Sequence, residues 1–131
     1  MENVTAIIER ASDGGYSVYI VEDLDGFVAT GFGDTPEEAK EDLLTAIEEL
    51  CEDMGDKAPK LNITFKYDVA SFLRAYQDKL SFSGLEVITG VNRKQLQHYV
   101  SGFRNPSPKT VKKIEQGVHD FAAKLKDLQF A

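Results

Sequence analysis

The sequence predicts an α+β protein in two modules: an antiparallel sheet with one covering helix, then an all-helical domain. Three observations predict it. Residues 3–32 fall into three short alternating runs separated by turn residues, as in a strand meander. From residue 67 onward, apolar residues recur at three- and four-residue spacing instead. The charge divides in the same way. Residues 1–60 carry 16 acids and 4 bases, net −12, whereas residues 61–131 carry 6 acids and 11 bases, net +5.

The first strand is expected over Asn3 to Ala11, with Val4, Ala6 and Ile8 on one face. Ser12-Asp13-Gly14-Gly15 is a turn, and Tyr16 to Val21 a second strand rich in β-branched and aromatic residues. Glu22 to Gly26 is an acidic turn before a third strand, Phe27 to Phe32. Asp34-Thr35-Pro36-Glu37-Glu38 then starts a helix. Thr35 is the N-cap, Pro36 the first helical residue, and Glu38 completes a capping box. Ala39, Leu43, Ile47 and Leu50 form its inner face to about Asp53, and Lys40, Glu41, Glu48, Glu49 and Glu52 a solvated outer one. Gly55 to Lys60 ends the helix and reads as a linker. The boundaries are therefore a first module at 1–58, a linker and strand at 59–66 and a second module at 67–131.

Leu61 to Tyr67 alternates as a fourth strand whose sheet the sequence leaves open. Tyr67 to Leu80 is expected to be helical, burying Val69, Phe72, Leu73 and Tyr76. Pro108 to about Leu128 is a last helix, with Val111, Ile114, Val118, Phe121, Ala122 and Leu125 inward. Between them, Ser83 to Thr89 and Asn92 to Ser101 are two short helices joined by Thr89-Gly90-Val91-Asn92. Gly90 can supply a positive φ at a steep crossing, and Asn92 can cap the following helix. Leu96, Tyr99 and Val100 face inward. Arg93, Lys94, Gln97 and His98 fall on outer faces, and Arg, Lys and Gln are side chains that pair with base edges. Ser83, Arg104 and Lys109 are candidate phosphate contacts beside them.

Leu85, Thr89-Gly90-Val91, Leu96, Tyr99, Ser101-Gly102 and Arg104-Asn105-Pro106-Ser107 resemble the helix-turn-helix of phage repressor and Cro-type proteins. With its flanking helices the resemblance spans roughly residues 67–126. Glu86 departs from it, occupying a position where such motifs usually place Ala. The resemblance implies operator DNA as a partner, with Ser83, Asn92, Arg93, Lys94, Gln97, His98, Arg104 and Lys109 at the interface.

Residues 14–50 resemble the HicB family of antitoxins. The features are Gly14-Gly15-Tyr16 opening the second strand, the acidic turn Asp23 to Gly26, and the helix start Gly33 to Ala39. A strand-strand-strand-helix module followed by a helix-turn-helix is also that family's layout. Asp25-Gly26-Phe27 stands where the turn usually reads Pro-Gly-Cys. The resemblance implies a degenerate RNase H-like module that binds a small basic HicA-like toxin RNase, while the second module represses the operon. Tyr16, Tyr19, Glu22, Asp23, Asp25 and Phe27 are the candidate toxin contacts, with core or dimer packing the default for the aromatic residues Tyr16, Tyr19 and Phe27. The other readings of the chain are a stand-alone regulator whose first module only dimerises or binds a small ligand, and a residual nuclease.

Composition bounds these readings. A chain of 131 residues makes one domain or two small ones, and 42% hydrophobic with 28% charged residues is a globular balance. No apolar run reaches ~20 residues, so no membrane span is expected. The first ten residues, with Glu2 and no long apolar core, do not read as a secretory signal, and Cys51 is the only cysteine; a reduced, cytoplasmic setting is expected. A net charge of −7 argues against nucleic acid, but the split reverses that for the basic half and suits the acidic half to a basic partner. No enzyme, metal or cofactor is expected. Glu22, Asp23 and Asp25 share one turn instead of converging from separate elements, and His98 and His119 lack partner ligands. Gly31-Phe32-Gly33 lacks the continuation of a phosphate-binding loop. Modules this small are marginal alone, so a dimer or higher homo-oligomer is expected.

Overall fold

The computed structural model describes all residues, Met1–Ala131, and the chain divides into two compact units, Met1–Phe72 and Leu73–Ala131. Their formal charges, counted over the same sequence, remain −12 and +5.

The first unit is one four-stranded sheet with one helix on it. The strands are β1 (Glu2–Arg10), β2 (Tyr16–Ile20), β3 (Thr30–Gly33) and β4 (Leu61–Tyr67), in the order β3-β2-β1-β4. Helix α1 (Pro36–Met54) lies against β2 and β3, and a short 3-10 turn at Gly55–Lys57 follows it. The first three strands form the antiparallel meander that their short turns predict. The expectation of an antiparallel sheet is corrected at β4, which pairs parallel to β1 along its whole length, from Glu2↔Leu61 to Ile8↔Tyr67. A parallel neighbour needs a long crossover, and the 19-residue α1 supplies it. Residues 59–66 are therefore not a linker between modules, and the first unit extends past 58 to Phe72.

Register decides which side chains meet α1. Val4, Ala6 and Ile8 pair with Ile63, Phe65 and Tyr67 on one side, and Ala6 and Ile8 with Ile20 and Val18 on the other. Ile8, Val18 and Leu43 are fully buried, each contributing roughly 1.5–3 kcal/mol. Gly31 and Gly33 lie on this face of β3, where an added Cβ would meet α1 backbone: Ala39 O and Leu43 N at Gly31, Ala39 N at Gly33. The missing side chains are what let helix and strand approach so closely.

Thr35 Oγ1 accepts from Glu38 N at 3.1 Å, as the capping box requires. The reciprocal bond comes one residue early, from Asp34 N to Glu38 Oε2 at 3.0 Å. Lys40 is half-buried, not on a solvated face, with Nζ 5.3 Å from the Phe65 ring centroid and 5.8 Å from that of Tyr67. Asp42 Oδ2 accepts from Phe32 N at 2.9 Å, so α1 also occupies a donor on the outer edge of β3.

Helix α2 (Val69–Ala75) begins in the first unit and ends in the second. Its start is tied to the sheet, since Ser71 Oγ accepts from Arg10 N at 2.7 Å and donates to Asp68 Oδ2 at 3.0 Å. It stops at Ala75, short of the expected Leu80, where Lys79 and Leu80 N–H groups turn back onto Tyr76 O.

The second unit contains α3 (Phe82–Thr89), α4 (Arg93–Ser101) and α5 (Pro108–Asp127) around Leu73, Leu85, Val91, Leu96, Tyr99 and Ile114. Helix α5 packs on α3 at Gly117, where a Cβ would lie 2.5 Å from Ile88 O and 2.8 Å from Thr89 Cα. The inner face expected for α5 holds for Ile114, with Val111, Val118 and Phe121 half-buried. It fails for Ala122 and Leu125, both exposed, because the helix outruns the elements it packs on.

Candidate nucleic-acid interface

The geometry of α4 is set by the turn before it. Gly90 closes α3 in the left-handed region at φ 74°, and its N–H bonds to Glu86 O. The Thr89 hydroxyl donates to Leu85 O at 2.7 Å and accepts from Val91 N at 3.1 Å, so a buried side chain satisfies the turn backbone. Lys113 Nζ donates to Gly90 O at 3.2 Å. Asn92 Oδ1 then accepts from Lys94 N at 2.8 Å and starts α4. Leu96 and Tyr99 turn inward, and Arg93, Lys94, Gln95 and Gln97 are exposed.

The candidate residues on this unit play different parts. Lys94, Gln97 and Lys109 are exposed, Lys109 in the first turn of α5. Asn92 has its side-chain oxygen committed to the cap, which makes it structural. His98 is half-buried, with its ring 4.9 Å from that of the exposed Phe103. The Arg104 guanidinium lies 5.9 Å from the Phe103 ring centroid on the other part of that loop. Gln95 is exposed on α4 and was not among the residues the outer faces suggested; its place beside Lys94 was the available signal.

Arg93 is exposed and tethered. Its Nε donates to Glu86 Oε1 at 2.9 Å, and its Nη1 to Ser83 Oγ at 3.0 Å. Glu86, which stands where an Ala is usual, is thus accommodated by swinging its carboxylate to the start of α4. Ser83, expected at a phosphate, accepts from Arg93.

The residues expected to contact a protein partner do not form one surface. Tyr16 and Phe27 are buried, at 7% and 6% exposure: they follow the default of core packing and are removed from the candidate contacts. Successive strand side chains alternate, so Tyr16 and Tyr19, three apart, point to opposite faces. Tyr19 lies on the face away from α1, 37% exposed, with Phe32 in the next strand at 62%. Phe32 was missed although its parity relative to Gly31 and Gly33 gives its face. The Glu22 carboxylate accepts from Thr5 N at 2.6 and 3.1 Å, extending the β1–β2 pairing. Asp23 Oδ1 accepts from Asp25 N at 3.3 Å, and Asp25 itself adopts φ 55° in the turn that closes the Leu24–Phe27 bridge. That turn delays the third strand, which starts at Thr30 and not Phe27. No helix of either unit is long and apolar enough to cross a membrane. Comparison with known protein families, curated proteins and solved structures returned no match to this chain.

Proposed function

We propose that the protein is an antitoxin of a type II toxin-antitoxin system, binding a small HicA-like toxin RNase through its first unit and repressing its own operon through α4. The observation that carries the DNA half is the solvent-facing row Arg93, Lys94 and Gln97, presented by a helix whose inner face is anchored by Leu96 and Tyr99. It lies on a unit of net charge +5, and local basic surface governs phosphate attraction. In this reading Lys109 and Arg104 contact phosphates, and α4 lies in the major groove.

The toxin half rests on the −12 charge of the first unit and on its uncovered sheet face. Tyr19 and Phe32 offer apolar area there, and acids such as Asp23 steer a basic partner towards the unit. The operator reading also calls for two copies of α4. Val111, Ile114, Val118, Phe121 and Leu125 alternate at spacings of three and four along α5, the seam of a helix pair. Its last member, Leu125, is 53% exposed, so the seam outruns what its own chain covers, and a second copy of α5 completes it.

The test is co-expression of the full chain with the neighbouring small basic reading frame, followed by pull-down and a growth assay. Capture of the product and protection of the cells is the expected result. Sequence-preferring, salt-sensitive DNA binding without capture refutes the antitoxin half and leaves the stand-alone regulator. Light scattering that gives a monomer at micromolar concentration refutes the paired seam.

A further inference from the structure

We infer that Glu86 is a positioning residue for DNA readout: it holds the Arg93 guanidinium so that preference at one base pair depends on a residue that touches no base. The inference rests on the DNA-binding reading above. Glu86 lies on α3 and Arg93 opens α4, seven residues later and across the turn. One carboxylate oxygen accepts from Arg93 Nε at 2.9 Å, and the other lies 3.4 Å from Arg93 N. The same carboxylate thus helps satisfy a first-turn N–H of α4 and pins the side chain that emerges there. Ser83 Oγ fixes a second corner of the fork at 3.0 Å from Nη1.

What is left free is the part that reads. Nη2 has no hydrogen-bond partner within the protein, and the Arg93 side chain is 55% exposed. A bidentate pairing to a guanine edge needs two N–H groups on one side of a planar fork, and Nη2 with the remaining Nη1 hydrogen supplies them. An untethered arginine would have to be ordered at the moment of binding; here two bonds order it beforehand. The carboxylate has a second effect. It offsets the Arg93 charge locally, which weakens attraction to any phosphate while preserving the directed N–H groups. Glu86 therefore exchanges general affinity for preference at one position.

That exchange gives a test whose two readouts move in opposite directions. The full-length protein and its Arg93→Ala, Glu86→Gln, Glu86→Ala and Arg93→Ala/Glu86→Ala variants are measured against a randomised duplex library and against a non-specific duplex. Folding of each is checked by thermal melt. Arg93→Ala should erase preference at one base pair. Glu86→Ala should weaken preference at that same pair by about 2- to 10-fold. It should at the same time raise affinity for the non-specific duplex by about 2- to 4-fold at ~0.1 M salt. Glu86→Gln, which keeps an acceptor oxygen, should retain more of the preference, and Glu86→Ala should add nothing at that pair once Arg93 is Ala.

A Glu86→Ala protein that melts normally yet keeps full preference overturns the inference and leaves the DNA reading standing. So does one in which every sequence weakens alike, since that is the effect of a damaged fold. A full-length protein with no salt-dependent DNA binding overturns both the reading and the inference. In the free protein, a slowly exchanging arginine Nε–H resonance lost in Glu86→Ala is the accompanying expectation, and its absence from the unsubstituted protein overturns the tether itself.

Discussion

Gly31→Ala is the sharpest probe of the first unit. The new methyl group would project at α1, meeting Ala39 O, Leu43 N at 2.5 Å and Leu43 Cα at 2.9 Å. These are all backbone atoms, so no rotamer change relieves the contact, and ordinary carbon contacts begin near ~3.5 Å. Relief requires α1 to move off β3 by up to about an ångström, loosening Leu43 and Ala39, both fully buried. Overpacking of a core costs about 1–3 kcal/mol, and a backbone clash belongs at the upper end. A unit of 72 residues is expected to have roughly 4–11 kcal/mol of stability in all, so the substitution removes a large share. At ~3 kcal/mol the melting temperature should fall by about 12–24 °C. Urea denaturation followed by circular dichroism, with amide exchange resolved on β1 and β2, measures this directly. A Gly31→Ala protein within ~1 kcal/mol of the parent, with β1 amides still protected, would refute the close approach of α1 to β3.

The other predictions concern separate parts of the chain. Gly117→Ala should destabilise the second unit by about 2–3 kcal/mol, read as faster exchange of α3 and α5 amides with β1 unchanged, because its Cβ meets Ile88 O. Asp25→Val should cost about 1–2 kcal/mol in a thermal melt and Asp25→Gly little, since φ is 55° there. A chain ending at Lys60 should fail to melt cooperatively, whereas one ending at Phe72 should succeed, because β1 otherwise loses its parallel partner β4.

Much of the architecture was legible because local chemistry decided it. Thr35-Pro36 starts α1, Gly90 and Asn92 bracket the turn, and the alternation of Val4, Ala6 and Ile8 selects the buried face of β1. Each of these depends on residues within a turn or two of one another, where sequence and geometry are linked directly. The sequence by itself also determined the opposed charges of the two halves, a property of composition that no folding can alter. Strand parity was equally available and would have separated Tyr16 from Tyr19.

What tertiary structure alone decided involves partners distant in sequence. Alternation marked Leu61–Tyr67 as a strand but carried no information about its neighbour, 59 residues away in the Glu2↔Leu61 pair. Lys40 looked solvated on its own helix because the rings that cover it, Phe65 and Tyr67, arrive with β4. The need for Gly117 appears only when α3 lies against α5. Glu86 looked like a misfit inside α3 until folding brought the Arg93 side chain to it across the turn. Periodicity and capping act over a few residues, whereas pairing, close approach and ion contact depend on where the chain returns, and that is settled only by packing the whole unit at once.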